Sequence, residues 1–319
     1  MHTTSKTEVL CLFGPTAVGK TEVLSQLQDR FSDFEVISAD SVQVYKKLNI
    51  GSAKPTREDQ KKLPHHLLDI LEPDQQFSAG DFVSRADAAV KDVISRSRVP
   101  LITGGTAFYF VNYLFGLPGT PIADPEIRRR VEDLVETQGP EALHALLSQV
   151  DPLSHERLEM RDLYRRKRAL EVFWGSGRPL SDFQVSREIR PGISPHLFAL
   201  DRPRDELYQR IDARVETMMD TGFEKEVDNL LTQGLTLSSP GLRSIGYLQL
   251  AQWIMEGRSS PISQVVNTIK QETRRYAKRQ LTFFRRIPGV TWVNPREAVP
   301  LLEKLLVSLH SVDPLGRDS

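Results

Sequence analysis

The run GPTAVGKT at residues 14–21 has the G-x-x-x-x-G-K-T spacing of a loop that wraps phosphate. It follows an apolar run and precedes a helical pattern, which is the context such a loop needs. Gly14 and Gly19 permit a tight turn and close backbone approach. Pro15, Thr16, Ala17 and Val18 complete the cradle. Its amides point inward at the start of a helix whose dipole favours anions. Lys20 adds a mobile cation, and the Thr21 hydroxyl can ligate magnesium. The motif does not say whose phosphate is held, or whether that phosphate is transferred or discarded.

Other chemistry-bearing residues stand at the ends of apolar runs. Asp40 closes FEVISAD, at the carboxyl end of an expected strand, where open α/β sheets place ligands. It can hold magnesium, accept a proton from an attacking group, or cap the next turn. Gly104, Gly105 and Thr106 close PLITGGT. The glycines give backbone freedom there, and Thr106 offers a hydroxyl or an N-cap to AFYFVNYLF. Arg243 follows a Pro-Gly turn and precedes a helix, and an arginine so delivered suits a developing phosphate charge. The adjacent His65 and His66 make a poor metal pair, because neighbouring residues rarely point at one ion. A structural role is expected for them.

The elements that must position these groups are legible as short apolar runs. EVLCLF (8–13), FEVIS (34–38), VPLITG (99–104) and HLFAL (196–200) read as buried strands, with VTWV (290–293) as a fifth candidate. Between them lie helical patterns. Phe82, Ala86, Ala89, Val90, Val93 and Ile94 recur at helical spacing, and Ser78 with Asp81 resembles a capping box. Alternating strands and helices predict a mostly parallel sheet covered on both faces. From about 120 to 192 the strands stop. Asp124 as N-cap and Pro125 at the first position open one helix there, and a second, basic helical stretch follows. The expected organisation is α/β: a P-loop NTPase-like core begun by 1–119, a helical insertion at 120–192, core completion with basic C-terminal helices at 193–310, and a disordered tail at 311–319. Ile262, Val265, Val266, Ile269, Tyr276, Ala277, Leu281 and Phe284 form the apolar stripe of one long C-terminal helix. Lys270, Arg274, Arg275, Lys278, Arg279 and Arg286 lie off that stripe.

Composition narrows the function classes. The chain has 319 residues with 42 basic and 42 acidic side chains, so nucleic-acid binding must come from local patches. The single cysteine, Cys11, excludes an internal disulfide and a cysteine-based zinc site. A reducing, cytoplasmic setting fits best. No secretory leader or membrane-length apolar run is visible, so no membrane partner is expected, and a monomer is the default. Basic residues concentrate at RDLYRRKR (161–168) and between Lys270 and Arg286, with Tyr164, Phe283 and Phe284 interleaved as possible stacking groups. Phe284 also lies on the apolar stripe, which favours the core.

Taken in order, GPTAVGKT, ADSVQVYKKLNIGSAKPT, PHHLLDI, PLITGGTAFYF, RRKRALEVF, SIGYLQL and AKRQLTFFRR resemble the bacterial-type tRNA dimethylallyltransferases over roughly residues 8 to 293. The resemblance implies a prenyl transfer in which the loop grips the diphosphate of dimethylallyl diphosphate. The N6 amine of the adenosine immediately 3′ of the anticodon attacks the allylic carbon, and pyrophosphate leaves, with Mg²⁺ as cofactor. It further implies that Thr106 reaches the bridging oxygen, that Asp40 takes the amine proton, and that Arg243 completes the catalytic set. The implied tRNA contacts are Asp40, Ser41, Val42 and Gln43; Thr106; Arg128; Tyr164, Arg165, Arg166, Lys167 and Arg168; Arg243, Ser244, Ile245, Gly246, Tyr247 and Leu248; and Lys278, Arg279, Gln280, Leu281, Thr282, Phe283, Phe284 and Arg285. Leu248 stands where a basic residue is common, and Arg166-Lys167 is unusually basic for its helix. Other readings of the same residues are a small-molecule or nucleotide kinase with 161–168 as a lid, a prenyltransferase acting on free adenine nucleotides, and an RNA-binding protein with a nucleotide-sensing loop. The first two leave the long basic C-terminal helix without a use. The last leaves Asp40, Thr106 and Arg243 without one.

Overall fold

The structure is a computed structural model and describes residues 6–122, 124–183 and 186–311. One compact unit spans the chain up to Leu114 and resumes at Pro191; the second is Phe115–Arg190.

The first unit is built on a six-stranded sheet of order β3-β2-β4-β1-β5-β6. Its strands are β1 (Thr7–Phe13), β2 (Phe34–Ser38), β3 (His65–His66), β4 (Val99–Gly104), β5 (Ile193–Leu200) and β6 (Thr291–Val293). Every pairing is parallel, with Leu12 opposite Thr103 of β4 and Phe198 of β5. The five expected strands are all present. β3 is the one the sequence hides, because two residues carry no periodicity. It is fixed instead by side chains: the buried Glu35 of β2 accepts from His66 Nε2 at 2.7 Å and Arg96 Nη2 at 2.7 Å. Burial alone would raise the Glu35 carboxyl, but the hydrogen bonds from Arg96 and His66 outweigh it and hold it below the usual carboxylate range.

The helices of this unit are α1 (Lys20–Gln28), α2 (Arg57–Lys62), α3 (Ala79–Ser95) and α4 (Ala107–Phe115), whose last residue enters the second unit. After the second unit come α8 (Arg204–Asp220), α9 (Phe223–Thr232), α10 (Tyr247–Met255), α11 (Ile262–Phe284) and α12 (Pro295–Ser311). The Ser78–Asp81 capping box at the start of α3 is formed in both directions. Beneath the strand tips, Leu10, Leu12, Leu27, Phe34, Leu200 and Leu302 pack into one core cluster. A second cluster joins the loop after β2 to α8–α11 through Val44, Leu48, Phe223, Tyr247, Leu250 and Ile269.

The second unit is helical: α5 (Pro125–Val150), α6 (Pro152–Arg157) and α7 (Leu163–Ser176). Asp124 caps α5, accepting from the Glu126 amide, with Pro125 in the first turn as its sequence predicts. Gly139 breaks the helical dihedrals of α5 just before Pro140. Val131, Leu143 and Leu170 are its buried core. Beyond Ser311, which ends α12, the expected disordered tail lies outside the described residues.

Candidate active site

β1 delivers the phosphate loop and α1 receives it, with Gly19 directly before the helix. The loop is held from behind by side chains the sequence analysis did not single out. Arg202 Nε donates to Val18 O at 2.6 Å and Arg210 Nε to Ala17 O at 2.9 Å. Ala17 itself sits in the left-handed region at φ 62°, a conformation costly for a residue with a Cβ and sustained only where its surroundings impose it. On the other side, Thr16 N donates to Gln280 Oε1 at 3.0 Å while Gln280 Nε2 donates to Gly105 O at 2.6 Å. One buried amide on α11 therefore clamps the loop after β1 to the tip of β4.

The tips of β2 and β4 meet beside this clamp. Asp40 Oδ1 accepts from the amides of Val42 (2.9 Å) and Gln43 (3.1 Å), so the carboxylate does cap its turn. Those bonds occupy one oxygen only. Thr106 Oγ1 accepts from Ser41 N at 3.0 Å, which ties the two strand tips together. Gly104 and Gly105 have no positive φ. The close approach explains the glycine better than backbone freedom does: a Cβ at Gly104 would lie 2.1 Å from Ala39 O. Tyr276 of α11 hydrogen-bonds Thr106 and Gln280, and burial with the nearby Asp40 charge pushes its phenol up to about 12. It stays a neutral phenol.

These groups border a cleft of about 1650 Å³ above the carboxyl ends of the strands. Thr16 to Thr21 form one wall, Asp40 to Gln43 and the loop through Lys54 another, Arg210 and Arg214 of α8 a third, with Arg243 and Tyr276 completing it. Thr106 adjoins the lining residue Gly105 but does not itself line the cleft. Lys20 Nζ folds back onto Gly14 O (2.8 Å) and Pro15 O (2.9 Å). Burial and the neighbouring Arg214 push its pKa down to about 7, against the opposing pull of Asp40. Arg214 is the cation the sequence analysis missed. Burial disfavours its charge and Asp40 offsets that. Its signal was available: Arg210 and Arg214 are one turn apart, each directly before a member of the stripe Leu207, Ile211, Val215 and Met218. Lys20, Arg214 and Arg243 gather positive charge beside the loop, with the Asp40 carboxylate near enough to act on Lys20 and Arg214.

The residues assigned to RNA by resemblance divide sharply by burial. Arg166, Tyr247, Gln280 and Phe284 are buried within their own units. Arg166 donates to Leu158 O (2.8 Å) and Glu159 O (3.0 Å) and meets His144, so it latches α6 to α7. Phe284 stacks on Phe13 at 4.8 Å. The Tyr247 hydroxyl donates to Glu226 at 2.6 Å, and Gly246 is buried beside it. Arg168 is turned inward, onto Pro121 O (2.7 Å) and Glu171 (3.2 Å). Leu281 packs on the core. By contrast Arg128, Tyr164, Arg165, Lys278, Arg279, Thr282, Phe283 and Arg285 are exposed, Lys167 and Leu248 are half-buried, and Ser244 and Ile245 line the cleft. Lys270 and Arg274, expected in the basic patch, pair with Glu216 and Asp212 of α8.

A parallel sheet with a glycine-lysine-threonine loop at the tip of β1, and a cleft above the strand ends, defines an α/β protein of P-loop NTPase-like fold. A family model described as IPP transferase matches residues 43–287. A tRNA dimethylallyltransferase from Trichlorobacter lovleyi is 43% identical over 289 residues, covering 90% of this chain and 94% of the relative. One from Geotalea daltonii is 40% identical over 294 residues, covering 92% and 89%. The crystal structure of a tRNA isopentenylpyrophosphate transferase from Bacillus halodurans superposes with a TM-score of 0.69 at 32% identity, covering 97% of this chain and 98% of that one. The chain belongs to the IPP transferase family.

Proposed function

We propose that this chain transfers the dimethylallyl group of dimethylallyl diphosphate to N6 of the adenosine immediately 3′ of the anticodon in tRNA. The observation that carries the reading is the convergence on one cleft of the phosphate loop, Lys20, Arg214 and Arg243 with the Asp40 carboxylate. A kinase and a prenyltransferase both need the cradle. Membership of the IPP transferase family supports reading the bound group as a diphosphate that departs.

The steps follow from the geometry. The allylic C–O bond breaks and its electron pair goes to the diphosphate. Donors aimed beforehand at such growing charge typically supply about 3–4 kcal/mol each; here they are the loop amides, Lys20, Arg214 and Arg243. The N6 nitrogen forms the new C–N bond and releases a proton. Asp40 keeps one carboxylate oxygen clear of its turn to accept it. Thr106, adjacent to the lining Gly105, is assigned to the bridging oxygen; its hydroxyl now donates to Ser41 Oγ at 3.3 Å, and that bond must rearrange for the contact. The target base has to leave its stack, at a cost of a few kcal/mol that is least in a single-stranded loop.

Magnesium fits the donor set. The Thr21 side chain is exposed in the first turn of α1 on the cleft wall, and no histidine or cysteine lines that cleft, which suits a hard cation held by hydroxyl and diphosphate oxygens. When bound, the ion would neutralise charge on the leaving group. Arg128, Tyr164, Arg165 and Lys167 on one unit, and Lys278, Arg279, Thr282, Phe283 and Arg285 on the other, are the residues that meet the RNA. No helix among the described residues is long and apolar enough to cross a membrane; a tRNA acceptor places the reaction in the cytoplasm.

The test offers dimethylallyl diphosphate with unmodified tRNA, AMP or ATP and follows the mass of each acceptor. One dimethylallyl group gained by tRNA, with one pyrophosphate released, is the expected result. Gain on AMP, or consumption of the ATP γ-phosphate without prenylation, overturns it.

A further inference from the structure

The loop between β2 and α2 walls the cleft without any regular element of its own from Asp40 to Thr56. A loop of that length needs anchors to hold one shape. Its strongest anchor is Glu226 of α9, which lies outside the cleft lining. Glu226 Oε2 accepts from the amides of Asn49 (3.0 Å) and Ile50 (2.8 Å), and Oε1 from Gly51 N (3.2 Å) and the Tyr247 hydroxyl (2.6 Å). Consecutive amides converge on one carboxylate, as backbone nests converge on anions. The loop is drawn so close to α9 and α10 that a Cβ at Gly51 would lie 2.1 Å from the Phe223 ring.

The next residue carries the consequence. Ser52 O accepts from Gln43 Nε2 at 3.2 Å and lies 3.4 Å from Arg214 Nη2. Gln43 in turn donates its amide to Asp40 Oδ1. A continuous line of hydrogen bonds therefore runs from Glu226 through residues 49–52 to both the cation and the carboxylate of the cleft. The sequence analysis passed over Glu226 and read Tyr247 as an RNA contact.

We propose that Glu226, with Tyr247, is a positioning residue of the prenyl transfer: it sets the Ser52 carbonyl and thereby the placing of Arg214 and Asp40. The proposal rests on the functional reading above. Displacing reacting groups by about 1 Å costs on the order of 10²-fold in rate, so the loss falls on turnover rather than on capture of tRNA.

Steady-state and single-turnover kinetics on Glu226→Ala, Glu226→Gln and Tyr247→Phe test it, with thermal melting measured alongside. Glu226→Ala is expected to lower kcat about 10²-fold while KM for tRNA changes less than threefold. Glu226→Gln keeps a carbonyl oxygen for part of the amide set and is expected to recover at least tenfold of the loss. A double-mutant cycle gives the sharper answer. If Glu226 acts through Arg214, Glu226→Gln in an Arg214→Ala background costs less than threefold. A fully additive loss, or equal loss of kcat and melting temperature in all variants without recovery by glutamine, overturns the proposal alone. Absence of prenyl transfer by the unaltered protein overturns the functional reading instead, and the proposal with it.

Discussion

Asp40 serves two ends with its two carboxylate oxygens, and a substitution can separate them. Asparagine keeps the Oδ1 acceptor for the Val42 and Gln43 amides, so Asp40→Asn preserves the turn and removes the base. General base catalysis is typically worth 10²–10⁴-fold. The rate of prenyl transfer is expected to fall by about that factor, while pyrophosphate affinity from calorimetry stays within about threefold. Equal losses in both would assign Asp40 to the metal. Lys20 makes a prediction in pH. Burial and the neighbouring Arg214 push its amine down to about 7; a bound diphosphate favours the charged form and raises that value. Below pH 7 the amine is already charged and itself takes up no proton on binding. Above it, binding must take up a proton, so affinity falls by up to about tenfold per pH unit. Calorimetry in buffers of different ionisation enthalpy reads this uptake directly, and Lys20→Met should abolish it.

At the scale of elements, α11 is a helix with three uses on three faces. Ala277 and Phe284 are buried in the core. Tyr276 and Gln280 reach the strand tips. Lys278 and Arg279 point outward. Lys270 and Arg274, although on the same helix, are held by α8. Lys278→Glu with Arg279→Glu should weaken tRNA binding and reduce the slope of log K against log salt by about 1 for each phosphate no longer neutralised. Lys270→Glu should leave that slope unchanged and lower the melting temperature instead. The second unit offers a parallel case in α7. Arg166→Ala leaves the Leu158 and Glu159 carbonyls without their donor, and an unmade buried bond costs about 1–3 kcal/mol. A chemical denaturation curve of that variant should show this loss. Lys167→Ala should cost under about 0.5 kcal/mol and act on RNA binding alone.

For the whole molecule, the sheet and its ligand edge were legible because apolar runs and punctuating glycines are local signals. The phosphate loop and Asp40 could be placed at the strand tips by chain position, and Arg243 only by family resemblance. What could not be read was which side chains turn inward. Arg166 and Lys167 are neighbours of one charge, yet only Arg166 is buried, because the carbonyls that end α6 lie on its side of α7. Gln280 was unreadable for the converse reason: its partners are more than a hundred residues away in sequence. A two-residue strand, β3, has no pattern to find. Global stability should report the assembled cleft. Dimethylallyl diphosphate with Mg²⁺ at a hundred times its dissociation constant should stabilise the fold by about 2.7 kcal/mol, and Lys20→Met with Arg214→Ala should erase that gain. The most direct measurement is a crystal structure with a non-reactive thiodiphosphate analogue of the donor and an anticodon stem-loop. The diphosphate should lie against the amides of residues 16–21 with Arg214 beside it, and the flipped adenine should bring N6 within hydrogen-bonding reach of Asp40. A diphosphate bound outside this cradle, or an adenine whose amine faces away from Asp40, would contradict the account.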